Sequence, residues 1–274
     1  TPTGMYGPIK KAYKLNKFKH VVACDTIKIN KPNRYVGWWY CCIPVSVIKE
    51  EGLPLPVFIR GDDAEYGNRC ANRIMSMNGI CIWHLTLALK YRAHLERYQV
   101  PRNSLIAQAT TGTFKTVDFM HEYRLNFHLD LKTMNYSSAE LMLVALEDFM
   151  KGPEFLMNLD TVENLKRITS YNEKLIPLEE VEEVDISNLE IDPGLFKKKD
   201  QRDIFLKIFD YLSDNGQKVP KFLRKDKIGV IPYDGWVYPP DDIRNTSTLI
   251  AVTKDGKECV VRHLDQKKFK QLVK

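Results

Sequence analysis

The spacing of apolar residues changes part-way along the 274-residue chain, and this change constrains the fold more than any other feature. Residues 20–112 carry short strand-like apolar runs between Gly and Pro positions, mixed with short helical patterns, which favours an α/β domain. Beyond residue 112, apolar residues recur at helical spacing. Near the end of the chain, apolar and polar residues alternate on both sides of an Asp-Gly turn, a pattern typical of a β-hairpin. We therefore predict an α/β domain over 20–112 and a mainly α-helical domain over 113–274 with a terminal β-hairpin.

The predicted elements are short and closely spaced. The predicted strands cover 20–30, 57–60 and 79–83, and the predicted helices cover 45–51, 64–75, 88–98, 118–134, 141–150 and 203–212. Gly52 is expected to end the first helix, Pro101 to stop the third, and the sequence SSAE at 137–140 to form a capping box. The terminal hairpin combines 247–253 with 258–262, before a basic helix. Residues 178–192 hold seven acids and no Lys or Arg, which indicates a surface linker.

Positive charge is concentrated at the start of the chain. The formal net charge is +6, and residues 1–34 hold eight Lys or Arg against one acid. Residues 1–19 are interpreted as a basic leader, which is either a solvated segment or a surface that attracts phosphates or an anionic membrane. The overall charge is modest, so nucleic acid is not an expected partner. No apolar run approaches the roughly 18 residues needed to cross a bilayer.

The cysteines lack the paired spacings of zinc sites and of small disulfide scaffolds. The six positions are Cys24, Cys41, Cys42, Cys70, Cys81 and Cys259. Their apolar neighbours predict reduced core residues in a cytoplasmic protein.

Adjacent carboxylates, Asp62 and Asp63, follow the predicted strand at 57–60. A strand end places side chains at the rim of an α/β sheet, where a carboxylate can accept a proton from an attacking hydroxyl. Alternatively, Asp62 and Glu65 have the spacing of a helix cap, and the acids then only begin the next helix. The spacing leaves both interpretations open.

His84 and the pair Trp38 and Trp39 are further candidates. A neutral imidazole at a strand end is a ligand for a divalent metal, or else a hydrogen-bonded structural residue. Indole rings offer flat apolar faces on which sugar rings pack, although tryptophans also fill cores. At most one of two adjacent residues faces a ligand in an extended segment.

Several segments resemble, in order, the polymerising galactofuranosyltransferases among the family 2 glycosyltransferases. They are YVGWW at 35–39, LPLPVFIRGDDAEYGNR at 53–69, IWH at 82–84, residues 91–103, residues 131–159 around FMKGPE, and the final hairpin. The resemblance covers most of 19–274 and is weakest between about 170 and 244. It implies a GT-A nucleotide-diphospho-sugar fold, of which 20–112 is the acceptor-side part with a partial sheet, followed by the helical domain.

The resemblance also implies roles for individual residues. Asp63 is implied to be the catalytic base and Asp62, its neighbour in the catalytic pair, a sugar contact. His84 is implied to be a ligand of a Mn²⁺ or Mg²⁺ cofactor. The implied substrate-binding residues are Trp38, Trp39, Arg60, Gly61 and Glu65. The family usually has tryptophan directly before the acid pair, so Gly61 removes an aromatic wall beside the base.

The implied activity is that of an inverting, metal-dependent hexosyltransferase of polysaccharide and cell-wall biosynthesis. Its partners are a UDP-sugar donor, with galactofuranose as the leading candidate, and a growing glycan or lipid-linked oligosaccharide acceptor. The implied location is the cytoplasm, with peripheral contact at the inner face of the plasma membrane, and a homo-oligomer is a further hypothesis. The family's Asp-x-Asp metal motif is absent from this sequence, so we expect the donor-nucleotide half to be missing and this fragment alone to be inactive.

Two other classes of function compete with the transferase. A non-catalytic module would bind a glycan, a membrane or a partner subunit through the helical part and the basic leader. A phosphate-ester hydrolase would use Asp62 and Asp63 and would need further acids near His84.

Overall fold

A computed structural model describes residues 35–57, 59–70, 74, 91–112, 119–181, 203–214, 216–224, 228–234 and 246–274. The chain divides into two compact units, each assembled from two stretches of sequence. The first combines Thr1–His84 with Arg102–Met120, and the second combines Leu85–Pro101 with His121–Lys274. The predicted strands at 20–30 and 79–83 lie outside the described residues, so the GT-A sheet stays a prediction.

Two helices flank the candidate acid pair in the first unit. Helix α1 spans Val45–Glu51 and α2 spans Asp62–Cys70. Gly52 ends α1 with a φ of 78°, a left-handed value that glycine adopts without a Cβ penalty. The predicted helix at 45–51 and its end at Gly52 are confirmed, whereas α2 begins two residues before the predicted position.

The strand predicted at 57–60 is wrong for the residues that the structure describes. Ile59 and Arg60 have φ values of 51° and 79°, and Gly61 follows with 90°. A strand needs negative φ, so three successive left-handed residues cannot continue one. The apolar residues predicted an extended segment, but the chain makes a left-handed bend directly before α2.

Pro101 does not end the helix before it, contrary to the prediction. A π-helical stretch covers His94–Gln99, and α3 covers Val100–Thr110. A proline ring clashes with the carbonyl four residues earlier in a regular helix. Here the hydrogen-bond ladder already has the wider π-helical spacing just before the proline, which removes that regular geometry.

The remaining helices follow in chain order. They are α4 Phe119–Lys132, α5 Tyr136–Met150, α6 Gly152–Met157, α7 Thr161–Thr169, α8 Ile204–Ser213 and α9 Gln266–Leu272, with 3-10 turns at Leu178–Glu180 and Lys221–Leu223. The helices predicted at 118–134 and 203–212 and the final basic helix are confirmed. Most of the predicted acidic linker lies outside the described residues.

Asn135 caps α5, so the capping box predicted at 137–140 is wrong. The Asn135 side chain accepts a hydrogen bond from the Ser138 backbone N–H at 3.2 Å, and the helix begins at Tyr136. The Glu140 carboxylate pairs instead with Lys268 at 2.6 Å. An asparagine just before the helix was a better cap than the serines that follow it, because its oxygen reaches an unpaired N–H of the first turn.

We expect Asn135→Ala to lower the free energy of unfolding by about 0.5–2 kcal/mol, the usual cost of losing a cap. Asn126→Ala is the matched control, and its effect should stay within about 0.5 kcal/mol because Asn126 lies inside α4, where its amide donates to the Glu122 carbonyl, and is not a cap. Urea denaturation of both variants measures the difference. Equal losses would show that α5 does not depend on Asn135.

The second unit contains a four-stranded mixed sheet in the order β1-β4-β3-β2. Its strands are β1 Ile176–Pro177, β2 Ile228–Pro232, β3 Thr248–Val252 and β4 Glu258–His263. The antiparallel pair β3 and β4 confirms the predicted hairpin. Strand β2 pairs with β3 in parallel, and β1 pairs with β4 antiparallel, so the hairpin forms the middle of a sheet.

Apolar side chains cover both faces of this sheet. Leu249 and Ala251 of β3 pack with Met134 on one face, and Ile250 and Val252 pack on the other. This follows from the alternation of side chains along a strand. A third cluster joins the π-helical stretch to α5 and α7, through Tyr91, Ala93, Tyr98, Leu141, Ala145 and Ile168.

The described cysteines are free thiols. The predicted core position is confirmed for Cys259, which is buried, and is wrong for Cys41 and Cys42, which are exposed. Cys24 and Cys81 lie outside the described residues. Among the helices that the structure describes, none has the length and apolar character needed to span a membrane.

Candidate functional site

The acid pair forms the first turn of α2, immediately after the left-handed bend. Asp62 is the first residue of the helix and Asp63 the second. The Asp63 carboxylate accepts hydrogen bonds from the backbone N–H of Ala64, at 2.8 Å, and from that of Trp38. Unpaired N–H groups at a helix start favour negative charge, which explains why acids lie here. The structure therefore brings the acid pair and the Trp-rich segment together.

Burial controls the basicity of Asp63. Desolvation is the largest cause that raises the pKa of Asp63 above its ordinary value, and the negative charge of Asp62 raises it further. The N–H groups of Ala64 and Trp38 act in the opposite direction, and the net shift is upward. A carboxylate with a raised pKa is a stronger proton acceptor, as a general base must be. Asp63 thus combines a helix-start contact with a raised pKa, and its role as a base stays a prediction.

Asp62 is the more available of the two acids. It is half-buried, and within the described ranges its carboxylate has no hydrogen-bond partner. Its charge acts on Asp63, its neighbour in the chain. A carboxylate with unused acceptor sites can take hydrogen bonds from sugar hydroxyls.

The two tryptophans have different surroundings. Trp38 packs edge-to-face against Tyr66, with ring centroids 5.8 Å apart, whereas Trp39 is 61% exposed. Trp39 is therefore the more exposed of the two, and its ring lies close to Gly37, where a Cβ would be 2.9 Å from it. Gly67 allows the Trp-rich segment to approach α2, because a Cβ at that position would lie 2.6 Å from the Tyr35 Cβ.

Glu65 has a structural partner. Its side chain is 1% exposed and accepts a bond from Arg69 Nε at 2.7 Å. Arg69 also donates to the Glu51 carbonyl at 2.7 Å, and the Tyr66 hydroxyl donates to the Gly52 carbonyl at 2.7 Å. Glu65 thus helps to hold α2 against the end of α1. The acids do begin this helix, as the second interpretation predicted, although no capping bond between Asp62 and Glu65 is found among the described residues. The substrate-binding role of Glu65 stays a prediction.

The backbone conformation directly before the acid pair favours glycine. Gly61 has a φ of 90°, a conformation that residues with a Cβ rarely adopt. Arg60, the other substrate-binding candidate in the bend, is half-buried. A residue with a Cβ at position 61 would be strained at this φ, so the local backbone favours the glycine found there.

Sequence reasoning assigned no role to Asn103, which contacts the bend from α3. The Asn103 side-chain amide donates to the carbonyls of Ile59, at 3.0 Å, and Arg60, at 2.7 Å. The contact joins residues more than forty positions apart, so local patterns carry no sign of it. The available signal was the ArgAsn pair at 102–103, two polar residues inside a segment that resembles the family.

The metal prediction does not gain support from the described residues. His84 lies outside them, and no group of three or more His, Cys, Asp or Glu side chains in the described part of the chain is arranged to hold an ion. The ligand role of His84 and the Mn²⁺ or Mg²⁺ cofactor stay predictions.

Comparison with known proteins supports the resemblance over part of the chain. No protein-family model matches the sequence. It is 33% identical over 132 residues to the galactofuranosyltransferase GlfT2 of Mycobacterium tuberculosis, covering 46% of this chain and 21% of that protein. It is also 33% identical over 127 residues to the galactofuranosyltransferase GlfT2 of Mycolicibacterium smegmatis, covering 45% of this chain and 20% of that protein. This chain is similar to galactofuranosyltransferases.

The similarity has a limited extent. The chain spans about a fifth of the length of these curated relatives. At 33% identity over less than half of this chain, the matches support a galactofuranosyltransferase-like sequence.

Proposed function

We propose that this chain is the acceptor-side part of an inverting glycosyltransferase in which Asp63 is the general base. The observation that carries the proposal is the half-buried Asp63 carboxylate, with its raised pKa, next to the Trp38 backbone at the start of α2. The similarity to galactofuranosyltransferases supports sugar transfer as the reaction class.

The proposed reaction is a single in-line displacement. An acceptor hydroxyl attacks the anomeric carbon of the donor while its proton passes to Asp63, and the bond between that carbon and the nucleoside diphosphate breaks. Attack occurs on the face opposite the leaving group, so the anomeric configuration inverts. Asp62 raises the proton affinity of the base, and the exposed ring of Trp39 is the proposed platform for the acceptor sugar.

We propose UDP-galactofuranose as the donor and a growing glycan or lipid-linked oligosaccharide as the acceptor. The names of the two relatives support galactofuranose as the transferred sugar. Gly61 leaves more room before the acid pair than the family's tryptophan would, so the acceptor next to Asp63 is proposed to differ from that of enzymes with tryptophan.

Incubation of the complete gene product with UDP-galactofuranose and a short galactofuranosyl acceptor tests the activity. Mass spectrometry should show the acceptor extended by one or more hexose units. Mn²⁺ and Mg²⁺ are added in separate reactions, because the cofactor is part of the proposal. No extension with either ion, together with calorimetric binding of the glycan but not of UDP, would support the non-catalytic module instead.

We expect Asp62→Asn to shift the acidic limb of the pH profile of kcat/KM to lower pH. The base must be ionised, so the rate falls as the pH drops through the pKa of Asp63. Removing the negative charge of Asp62 lowers that pKa, since this charge is one of the causes that raise it. Assays between about pH 4 and 8 measure the limb. Glu50→Gln, on an exposed part of α1, is the control and should leave it in place.

A further inference from the structure

We propose that Asn103 is a positioning residue that holds the left-handed bend before the acid pair and so directs Asp63 towards its substrate. The proposal rests on the proposed function of Asp63 as the base. Asn103 lies in α3 and is 2% exposed, so its side chain is committed to the protein interior. It is proposed to act through the backbone and not by touching the reacting atoms.

One amide group holds two successive carbonyls. Asn103 Nδ2 donates to the Ile59 oxygen at 3.0 Å and to the Arg60 oxygen at 2.7 Å. A side-chain amide has two N–H donors, so these contacts use its full donor capacity. No hydroxyl or single N–H group could make the same pair of bonds, and a carboxylate could make neither.

The orientation of this amide is determined by Arg102. Arg102 Nε and Nη2 donate to Asn103 Oδ1 at 3.1 and 2.9 Å. A guanidinium has donors only, so the amide oxygen must face Arg102 and the amide nitrogen must face the bend. The 5% exposure of Arg102 keeps water from competing for these bonds.

The bend needs such support because its conformation is unfavourable by itself. Left-handed φ values are uncommon for residues other than glycine and are rarest for β-branched residues such as Ile59. They persist where the surrounding structure holds them, often next to functional sites. Asn103 provides that hold for Ile59 and Arg60, the two non-glycine residues of the bend.

The bend in turn determines where α2 begins. Gly61 alone separates Arg60 from Asp62, and the Gly61 carbonyl accepts the Glu65 N–H at 2.9 Å, a bond of the first helical turn. A rotation of the bend would therefore rotate this first turn, and with it the Asp63 carboxylate that Trp38 contacts. A catalytic group misplaced by about 1 Å can cost about 10²-fold in rate.

Asn103→Asp is the test variant, because it has the same shape and keeps an acceptor for Arg102. Its second oxygen would face two carbonyl oxygens, so the hold on the bend is lost. In the complete gene product we expect kcat for galactofuranosyl transfer to fall by about 10- to 100-fold, with the donor KM changed by less than about 2-fold. The pH profile is measured on Asn103→Ala, which removes the same two bonds without adding a charge, and its acidic limb should move to lower pH as Asp63 gains water.

Asn126→Asp is the matched control. Asn126 also donates its amide to a backbone carbonyl, that of Glu122 at 2.9 Å, but within α4. It should leave kcat and the pH profile unchanged. A merely structural role of Asn103 would lower the melting temperature without changing the pH profile or the ratio of kcat to KM.

The outcomes separate this inference from the proposed function. Wild-type kcat in Asn103→Asp and a wild-type pH profile in Asn103→Ala, combined with an inactive Asp63→Asn, would overturn the role of Asn103 and leave that of Asp63 intact. An active Asp63→Asn would overturn the proposed function itself. If Asn103→Asp does not fold, Asn103→Ala removes the two bonds without adding charge, and wild-type kinetics in that variant would contradict the proposal.

Discussion

Asp63→Asn is expected to lower kcat for sugar transfer by about 10²-fold or more while donor binding stays nearly intact. The carboxamide cannot take up the proton of the acceptor hydroxyl. Its oxygen can still accept the N–H bonds of Ala64 and Trp38, so the start of α2 should keep its shape. Initial rates with UDP-galactofuranose, together with calorimetric titration of UDP, measure the two effects separately.

Asp160→Asn is the matched control for this substitution. Asp160 also lies at a helix start, where it accepts the N–H groups of Val162 and Glu163, each at 2.9 Å. The Asp160→Asn variant should keep wild-type turnover, because Asp160 is distant from the acid pair in the sequence and belongs to the other unit. Equal turnover of Asp63→Asn and wild type would remove Asp63 from the role of base.

The stability of Asp63→Asn has a predicted sign. Because burial raises the pKa of Asp63, the folded state binds its proton more tightly than the unfolded state. The ionised carboxylate therefore disfavours folding at pH values above both pKa values, and this contribution disappears as the pH falls below them. Asp63→Asn should consequently unfold no more easily than wild type at pH 7. A loss of activity through unfolding would show as a lower melting temperature.

The largest expected effect on stability is that of Asp130→Asn in the second unit. Asp130 accepts two bonds from Arg97, at 2.5 and 3.1 Å, and both side chains are 2% exposed. Substitution would leave the Arg97 charge buried without its counter-ion. Removing one partner of a buried pair costs about 3–5 kcal/mol, and we expect the free energy of unfolding to fall by that amount.

Glu163→Gln is the matched control for the buried pair. Glu163 pairs with Lys166 at 2.8 Å, but the two side chains are 68% and 69% exposed. Water screens this pair, so its loss should cost no more than about 1 kcal/mol. Urea denaturation of both variants tests the contrast. Similar losses of unfolding free energy for the two substitutions would show that Asp130 does not compensate the buried charge of Arg97.

Local signals in the sequence predicted much of the secondary structure. The end of α1 at Gly52 and the hairpin about Gly256 depend on residues next to each other in the chain, and both were predicted. Strand β2 was missed because its parallel pairing with β3 comes from tertiary packing. The π-helical stretch before Pro101 was missed because a proline normally predicts a helix end.

The candidate site shows the same division. The order of motifs located Asp62 and Asp63, and the structure places them next to the Trp-rich segment. Two features of the site depend on distant contacts and were not predicted. The left-handed bend is held by Asn103, more than forty residues away, and Glu65 is used by Arg69 against the end of α1. The apolar residues at 57–60 therefore predicted a strand, whereas the chain forms a left-handed bend there.

The stereochemistry of the first product tests the proposed single displacement most directly. Transfer from UDP-galactofuranose by the complete gene product, followed by NMR of the new anomeric centre, compares its configuration with that of the donor. Proton removal by Asp63 during one displacement predicts inversion in every product molecule. A product with retained configuration would contradict that mechanism, because it requires two displacements or a different attacking group.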